Sequence, residues 1–274
     1  MSRAGAGLLV GLGMLLAGGG GLAAQSTEQL WRWIDGQGGF CIWYLAAPDI
    51  APALVSPGTR LRTVGETQGL PPVIIRIVQD EPRFAEWIPG SVCVGLYVDV
   101  AADGTPVGHM EDGRPILLTL TAVAAHAPHG QAEAEWYLRE IGLDAGRLDR
   151  AASGASIATE DRRLRTRTGL EGEDDTWELE LDGARLVWNG RPTGENRVGS
   201  TRSMSFGYAG ERNSRFLVVV RTAPAEEQQQ LGALRVEGRG PLAQALKSSP
   251  IRTVGPLERG GELTVTFRPT PPGN

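Results

Sequence analysis

Asp-Gly pairs at 103–104, 112–113 and 182–183 stand between runs of apolar and β-branched residues, and this pattern constrains the fold more than any other feature. An Asp-Gly pair supplies the two positive-φ positions of a tight hairpin turn, so the flanking runs are expected to be antiparallel strands. The runs at 91–100 and 116–123 are separated by two such turns, and 177–188 reads as strand, Asp-Gly turn, strand. Within that hairpin, alternation puts Leu179 and Leu181 on one face and Glu178 and Glu180 on the other. Further strands are expected at 40–45, 73–78, 215–221 and 262–267, with 155–159 and 163–168 as a strand pair. Arg76 interrupts the apolar series 73–78, which reads as a buried strand carrying one charge.

Helices are expected to be few. The segment 131–143 is free of Gly and Pro until Gly142 and rich in Ala, Glu, Leu and Arg, which makes it the best helix candidate. Short helices are expected at 47–54, 224–231 and 241–248, and a short amphipathic turn at 28–33 before the glycine-rich 35–39. Many strands of modest length with a few helices suggest one α+β domain built around a mostly antiparallel, closed sheet or barrel. The 274 residues can bury a sizeable core, and there is no internal repeat.

Residues 1–24 have the parts of a secretory leader: a cationic start at Arg3, a short apolar run and small residues before Gln25. The run is shorter and more broken by glycine than the about 20 residues a spanning helix needs. The expected organisation is therefore a leader at 1–24, one domain at 25–268 and a loose tail at 269–274, in a secreted or periplasmic protein with no membrane attachment after cleavage. Two cysteines only, Cys41 and Cys93, each within a strand-like run, fit one disulfide in an oxidising compartment, the alternative being two buried free thiols. A net charge of -5 leaves no basic excess to offset phosphate, so nucleic acid is not an expected partner.

Common catalytic signatures are missing: no GxSxG elbow, no P-loop, no HExxH. His126 and His129 flank Pro128 with no cysteine near them, so no metal site is expected, and no cofactor is.

Four regions, taken in order, resemble acetoacetate decarboxylase and its superfamily. They are 40–57, opening on Phe40-Cys-Ile-Trp-Tyr-Leu; 72–86, from Pro72-Val-Ile-Ile-Arg to Arg83-Phe-Ala-Glu86; 137–148, from Tyr137-Leu-Arg-Glu to Arg147-Leu148; and 240–267, from Gly240-Pro-Leu to the closing strand. The resemblance implies a closed, mostly antiparallel β structure around an enclosed, partly apolar cavity, and it implies subunit assembly into a homo-oligomer, although no residue pattern demands that. Decarboxylases of this kind use a lysine amine, its pKa lowered by a neighbouring cation, to form an imine with a ketone. Here the matching position is Gly146, its companion is Arg147, and Lys247 is the only lysine in the chain. Arginine stays protonated and cannot replace an amine nucleophile.

The resemblance places Arg76 and Glu86 at cavity positions and Arg139 and Glu140 in the segment before the reaction centre. The sequence therefore leads to an exported protein that binds a small organic acid or keto compound without Schiff-base decarboxylation, with Gly146, Arg147, Arg139 and Glu140 at the ligand. Two other readings stand beside it: a lyase or hydrolase using Glu86 as acid or base with Arg76 on an enolate, and a non-catalytic envelope interaction protein. Expression of the full chain in a secreting host should yield a mature polypeptide beginning at Ala24 or Gln25 by intact-mass analysis; a product that retains Met1 would count against the leader.

Overall fold

Two of the three Asp-Gly pairs close hairpins between paired strands, and the third, Asp112-Gly113, is a tight turn between strands that do not pair each other. The computed structural model describes residues 28–126, 136–144, 159–160, 163–167, 175–209, 215–251 and 254–270. Asp103 and Asp182 have φ of 48°, followed by Gly104 at 78° and Gly183 at 69°, the left-handed pair that a two-residue hairpin turn requires. The first joins β2 (Ile88–Ala102) to β3 (Thr105–His109), and the second joins β8 (Asp175–Leu181) to β9 (Ala184–Val198). Asp112-Gly113 then returns the chain toward β4 (Ile116–Ala124).

The other strands are β1 (Gln29–Ala46), β5 (Trp136–Asp144), β6 (Thr159–Glu160), β7 (Arg163–Arg167), β10 (Arg202–Ala209), β11 (Arg215–Thr222), β12 (Glu226–Gly238), β13 (Leu257–Arg259) and β14 (Leu263–Pro269). Two α-helices accompany them among the described residues, α1 (Pro72–Asp80) and α2 (Pro241–Ser248). The strands form one sheet in which β1 pairs β2 on one edge and β14 on the other, so that β1, β2, β4, β5, β10, β11 and β14 close into a ring. Every pairing in the ring is antiparallel except β5 with β10. This is the α+β, mostly antiparallel closed architecture expected from the sequence.

β1 does two jobs along its length. Its first part, residues 29–33, pairs β14; beyond it, Gly39 pairs Glu258 of β13, and β13, β12, β9, β8 and β7 continue the sheet away from the ring. Side-chain alternation serves both faces. Trp31, Trp33 and Leu45 point into the ring with Leu118, Leu138, Val218, Val265 and Phe267, while Phe40, Ile42 and Tyr44 face an outer layer made by Trp177, Leu179, Leu186, Trp188 and α2. Full burial of one such side chain contributes about 1.5–3 kcal/mol, and both faces of β1 carry several. Cys41 and Cys93 are directly opposite on β1 and β2 and form a disulfide.

Several local expectations are corrected. Residues 73–78 form α1, not a buried strand: Pro72 fits the first helical turn, and Val73, Ile74, Ile77 and Val78 make a helical stripe packed on the ring core while Ile75 and Arg76 face solvent. β-Branched residues alone do not decide between strand and helix when the run is this short. Residues 136–144 form β5, not a helix, because Trp136, Leu138 and Ile141 gain burial inside the ring that outweighs a weak helical propensity. Thr121 is opposite Glu140 and Ala122 opposite Leu138, leaving Arg139 as the extra residue of a bulge, which keeps both Leu138 and Ile141 facing inward.

Residues 28–33 belong to β1 and 224–231 largely to β12, each claimed by a neighbouring strand. β6 pairs β5, and β7 pairs β8, rather than each other. The leader, the tail from 271 and residues 131–135 lie outside the described residues.

The disulfide closes a loop of 52 residues between two of the most extensively paired strands. Replacing both cysteines by alanine should lower stability by about 2–4 kcal/mol, read from the urea midpoint under two-state unfolding. A midpoint that does not move would mean that the ring holds β1 on β2 without the link.

Candidate functional site

Where β1 leaves β14 and passes to β13, the ring is not filled. A cavity of about 180 Å³ opens there, walled by Trp43, Leu118, Leu120, Ala122, Phe206 and Val220. The cystine joins this wall, since Cys41 and Cys93 both line the space. Glycine helps keep it open: the wall includes glycines 36, 39, 95 and 260, which contribute backbone only. At Gly95 the missing side chain has a specific use: a Cβ there would lie 2.5 Å from the ring of Tyr97, so glycine lets Tyr97 fold back along the strand.

Polar groups gather at one side of the cavity: Tyr97 of β2, Arg202 at the start of β10, Thr222 at the end of β11 and Glu258 of β13. Glu258 is directly opposite Glu227 of β12 in an antiparallel pair, an arrangement that places like charges side by side. Arg202 resolves it. One terminal nitrogen of its guanidinium donates to Glu258 Oε1 at 3.1 Å and the other donates to Glu227 Oε1. Arg197, across the ladder on β9, donates to the second oxygen of Glu227 at 3.1 Å. Gly199 leaves the room that Glu227 occupies, for a Cβ at 199 would lie 2.4 Å from its carboxylate.

Burial sorts these groups. The Glu227 side chain is 6% exposed and neutralised by two guanidinium groups, which is what a buried charge requires. Glu258 remains 32% exposed and has one. Its carboxyl is held above the usual range, chiefly by burial and further by the Glu227 charge, against the opposing pull of Arg202. The Tyr97 phenol is also pushed up, by burial first and then by the Glu258 charge, so it is a neutral donor at any physiological pH. Among the described residues, no protein group accepts from or donates to the Tyr97 hydroxyl.

Of the residues expected at the ligand, the described ones do not line this cavity. Arg76 is exposed on α1, and Glu86 is exposed at the end of the short 3₁₀ turn Pro82–Glu86; neither lines the cavity. The helix that replaces the expected strand turns Arg76 outward. Arg139, at the β5 bulge, is directed to Asp182 of the β8–β9 turn at 2.6 Å, on the outer side of the ring, and Glu140 is also absent from the cavity wall. Gly146 and Arg147 lie outside the described residues, as does His129. Among the described residues no cluster of His, Cys, Asp or Glu could hold a metal ion.

One sequence signal could have found Tyr97. With Cys93 paired to Cys41 on the inward face, alternation puts Ser91, Gly95 and Tyr97 on that same face. Arg202 and Glu258 had no comparable signal, because their meeting depends on β10 and β13 being brought together by the ring.

No family model matches the chain, and no curated protein matches it significantly. Solved structures do. The chain is similar to an acetoacetate decarboxylase from Legionella pneumophila, with 11% identity and a TM-score of 0.47 over 88% of this chain and 87% of that one. It is similar to an acetoacetate decarboxylase-like enzyme from Sphingomonas wittichii RW1, with 9% identity and a TM-score of 0.44 over 88% and 91% of the two chains. A third is the enduracididine biosynthesis enzyme MppR complexed with pyruvate, with 11% identity and a TM-score of 0.41 over 95% and 97%.

Because the folded state raises the pKa of Glu258, it holds that proton more tightly than the unfolded chain does. The stability this confers is complete below the ordinary carboxylate range and is lost as pH rises through the raised value. Glu258→Gln should remove that decline, so the stability difference between wild type and variant should shift in favour of the variant as pH rises from about 4 to 7. Urea midpoints at stepped pH measure it, and parallel curves would contradict the assignment.

Proposed function

We propose that the ring cavity binds one small organic acid or keto compound, with its apolar part against Trp43, Leu120 and Phe206 and its oxygens at Tyr97 and Arg202, without imine chemistry. The observation that carries this reading is the convergence of a neutral phenol, a guanidinium and a carboxyl on one side of an otherwise apolar interior space. At about 180 Å³ the space is below the about 300–1,000 Å³ of sites that take drug-sized ligands, so the occupant is a small metabolite. A phenol without a partner among the described residues, set in a largely apolar wall, can donate to a ligand oxygen that reaches it.

Chemistry through an amine is disfavoured by position. Lys247, the only lysine in the sequence, is on α2 in the outer layer, where its Nζ donates to the Gly238 carbonyl at 2.6 Å. The reading that uses Glu86 and Arg76 for acid or base chemistry loses its support, since both side chains are on the outer surface. We further propose that the chain works outside the reducing cytoplasm. The Cys41–Cys93 disulfide supports this, and no helix among the described residues is long and apolar enough to cross a membrane.

Thermal unfolding in the presence of 2-oxobutanoate, 4-oxopentanoate, pentanoate and 2-pentanone tests the binding. A ligand at 100 times its Kd should stabilise the fold by about 2.7 kcal/mol. Ala122→Phe, which fills the wall, should abolish the shift for every compound; Arg202→Gln should weaken the three acids by about tenfold or more while leaving 2-pentanone nearly unchanged. Absence of any shift in the wild type would sink the reading. Borohydride treatment with acetoacetate should leave the polypeptide mass unaltered, and a covalent adduct would restore imine chemistry.

A further inference from the structure

The grouping at the cavity mouth has more than a binding site needs. A carboxylate ligand requires a cation, yet the cavity also presents Glu258, whose charge would repel such a ligand, beside a phenol that has no partner among the described residues. Glu258 is held in place by Arg202 Nη1 at 3.1 Å through one oxygen, and by its pairing opposite Gly39 and Glu227. Its side chain is 32% exposed, so a proton on it can exchange with solvent. Tyr97 is fixed by its fold over Gly95 and lines the same cavity. A base, a neutral hydrogen-bond donor and an apolar wall around a carbonyl compound are the parts needed to remove a proton next to that carbonyl.

We propose that the cavity catalyses proton exchange at the carbon next to a carbonyl, with Glu258 as the base and the Tyr97 hydroxyl as the donor that holds the enolate oxygen. The inference rests on the binding reading above. In the forward step the Glu258 carboxylate takes a proton from the α-carbon; the C–H pair becomes a C=C bond, and the carbonyl π pair moves to oxygen, which accepts a hydrogen bond from Tyr97. In the return step Glu258, having exchanged its proton with solvent, protonates the same carbon and the carbonyl reforms. No bond is made to the protein, and neither an oxidant nor a reductant is consumed. The raised pKa of Glu258 is in keeping with a base of useful strength, and Arg202, which already donates to its oxygen, positions it.

The test is proton NMR in deuterium oxide with 2-oxobutanoate and 4-oxopentanoate, following loss of the methylene signal next to the ketone. Wild-type protein should accelerate exchange at least 100-fold over a blank of the same buffer. Glu258→Gln should lower the protein-dependent rate at least 100-fold while still showing ligand-dependent thermal stabilisation, and Tyr97→Phe should lower the rate at saturating ligand by about tenfold or more. Stabilisation of the wild type by either compound with no exchange above the blank would overturn this inference and leave the binding reading intact. Failure of both compounds to exchange, with no stabilisation by any of the four compounds above, would overturn the two together. Exchange that persists in a folded Glu258→Gln protein would remove Glu258 from the step.

Discussion

The structure depends on the hydrogen bonding of one strand at both of its edges. β1 runs for 18 residues, and its pairing with β2 along one edge and with β14 along the first part of the other turns a sheet with free ends into a ring. Without β1 both β2 and β14 would present unpaired backbone groups, and the interior cluster around Trp33, Leu138 and Phe267 would lose its closing wall. The same strand carries the outer core on its opposite face, so the two hydrophobic layers share a backbone and cannot separate independently. The Cys41–Cys93 link ties β1 to β2 where those two layers and the cavity meet.

The cavity follows from the way β1 changes partners. A strand that pairs β14 through residue 33 and β13 at residue 39 must leave its first neighbour between the two, and the chain there is rich in glycine on both sides, with the Gly36 carbonyl accepting from Gly260 N at 2.6 Å. A side chain at Gly36 would meet the Gly260 carbonyl oxygen at 2.6 Å, so close passage of two backbones is part of the construction of this corner. Side chains that would fill the interior elsewhere are absent here, and the polar residues at the ends of β10, β11 and β13 border the space. Electrostatics then divides the acidic residues by role: Glu227, deeply buried between two arginines, is structural, whereas Glu258, more open and with one arginine, faces the cavity.

The segments that depart from their local propensity share a physical cause. The run 73–78 is β-branched throughout except for Arg76, yet it has no strand neighbour and buries its stripe as a helix; the segment around Leu138 favours helix by composition, yet it has neighbours on both edges in β4 and β10 and becomes a strand. Propensity is a local quantity, whereas the availability of an unpaired edge is set by distant parts of the chain. The same cause puts Arg76 on the solvent side of a helix, where the sequence pattern predicts a strand.

What the sequence by itself determined is local and chemical. Aspartate followed by glycine fixed the hairpin turns, because few other residues tolerate those dihedral angles; alternation fixed which faces of β8 are buried, with Leu179 and Leu181 inward; and the lone lysine limited amine chemistry whatever the fold. Only the tertiary structure decided the ring, the cavity and the meeting of Tyr97, Arg202 and Glu258. Those residues are separated by 105 and 56 positions along the chain, and no local interaction favours their approach. They are brought together because the backbone groups of β1 must be paired on both edges, a requirement that short-range sequence patterns do not express.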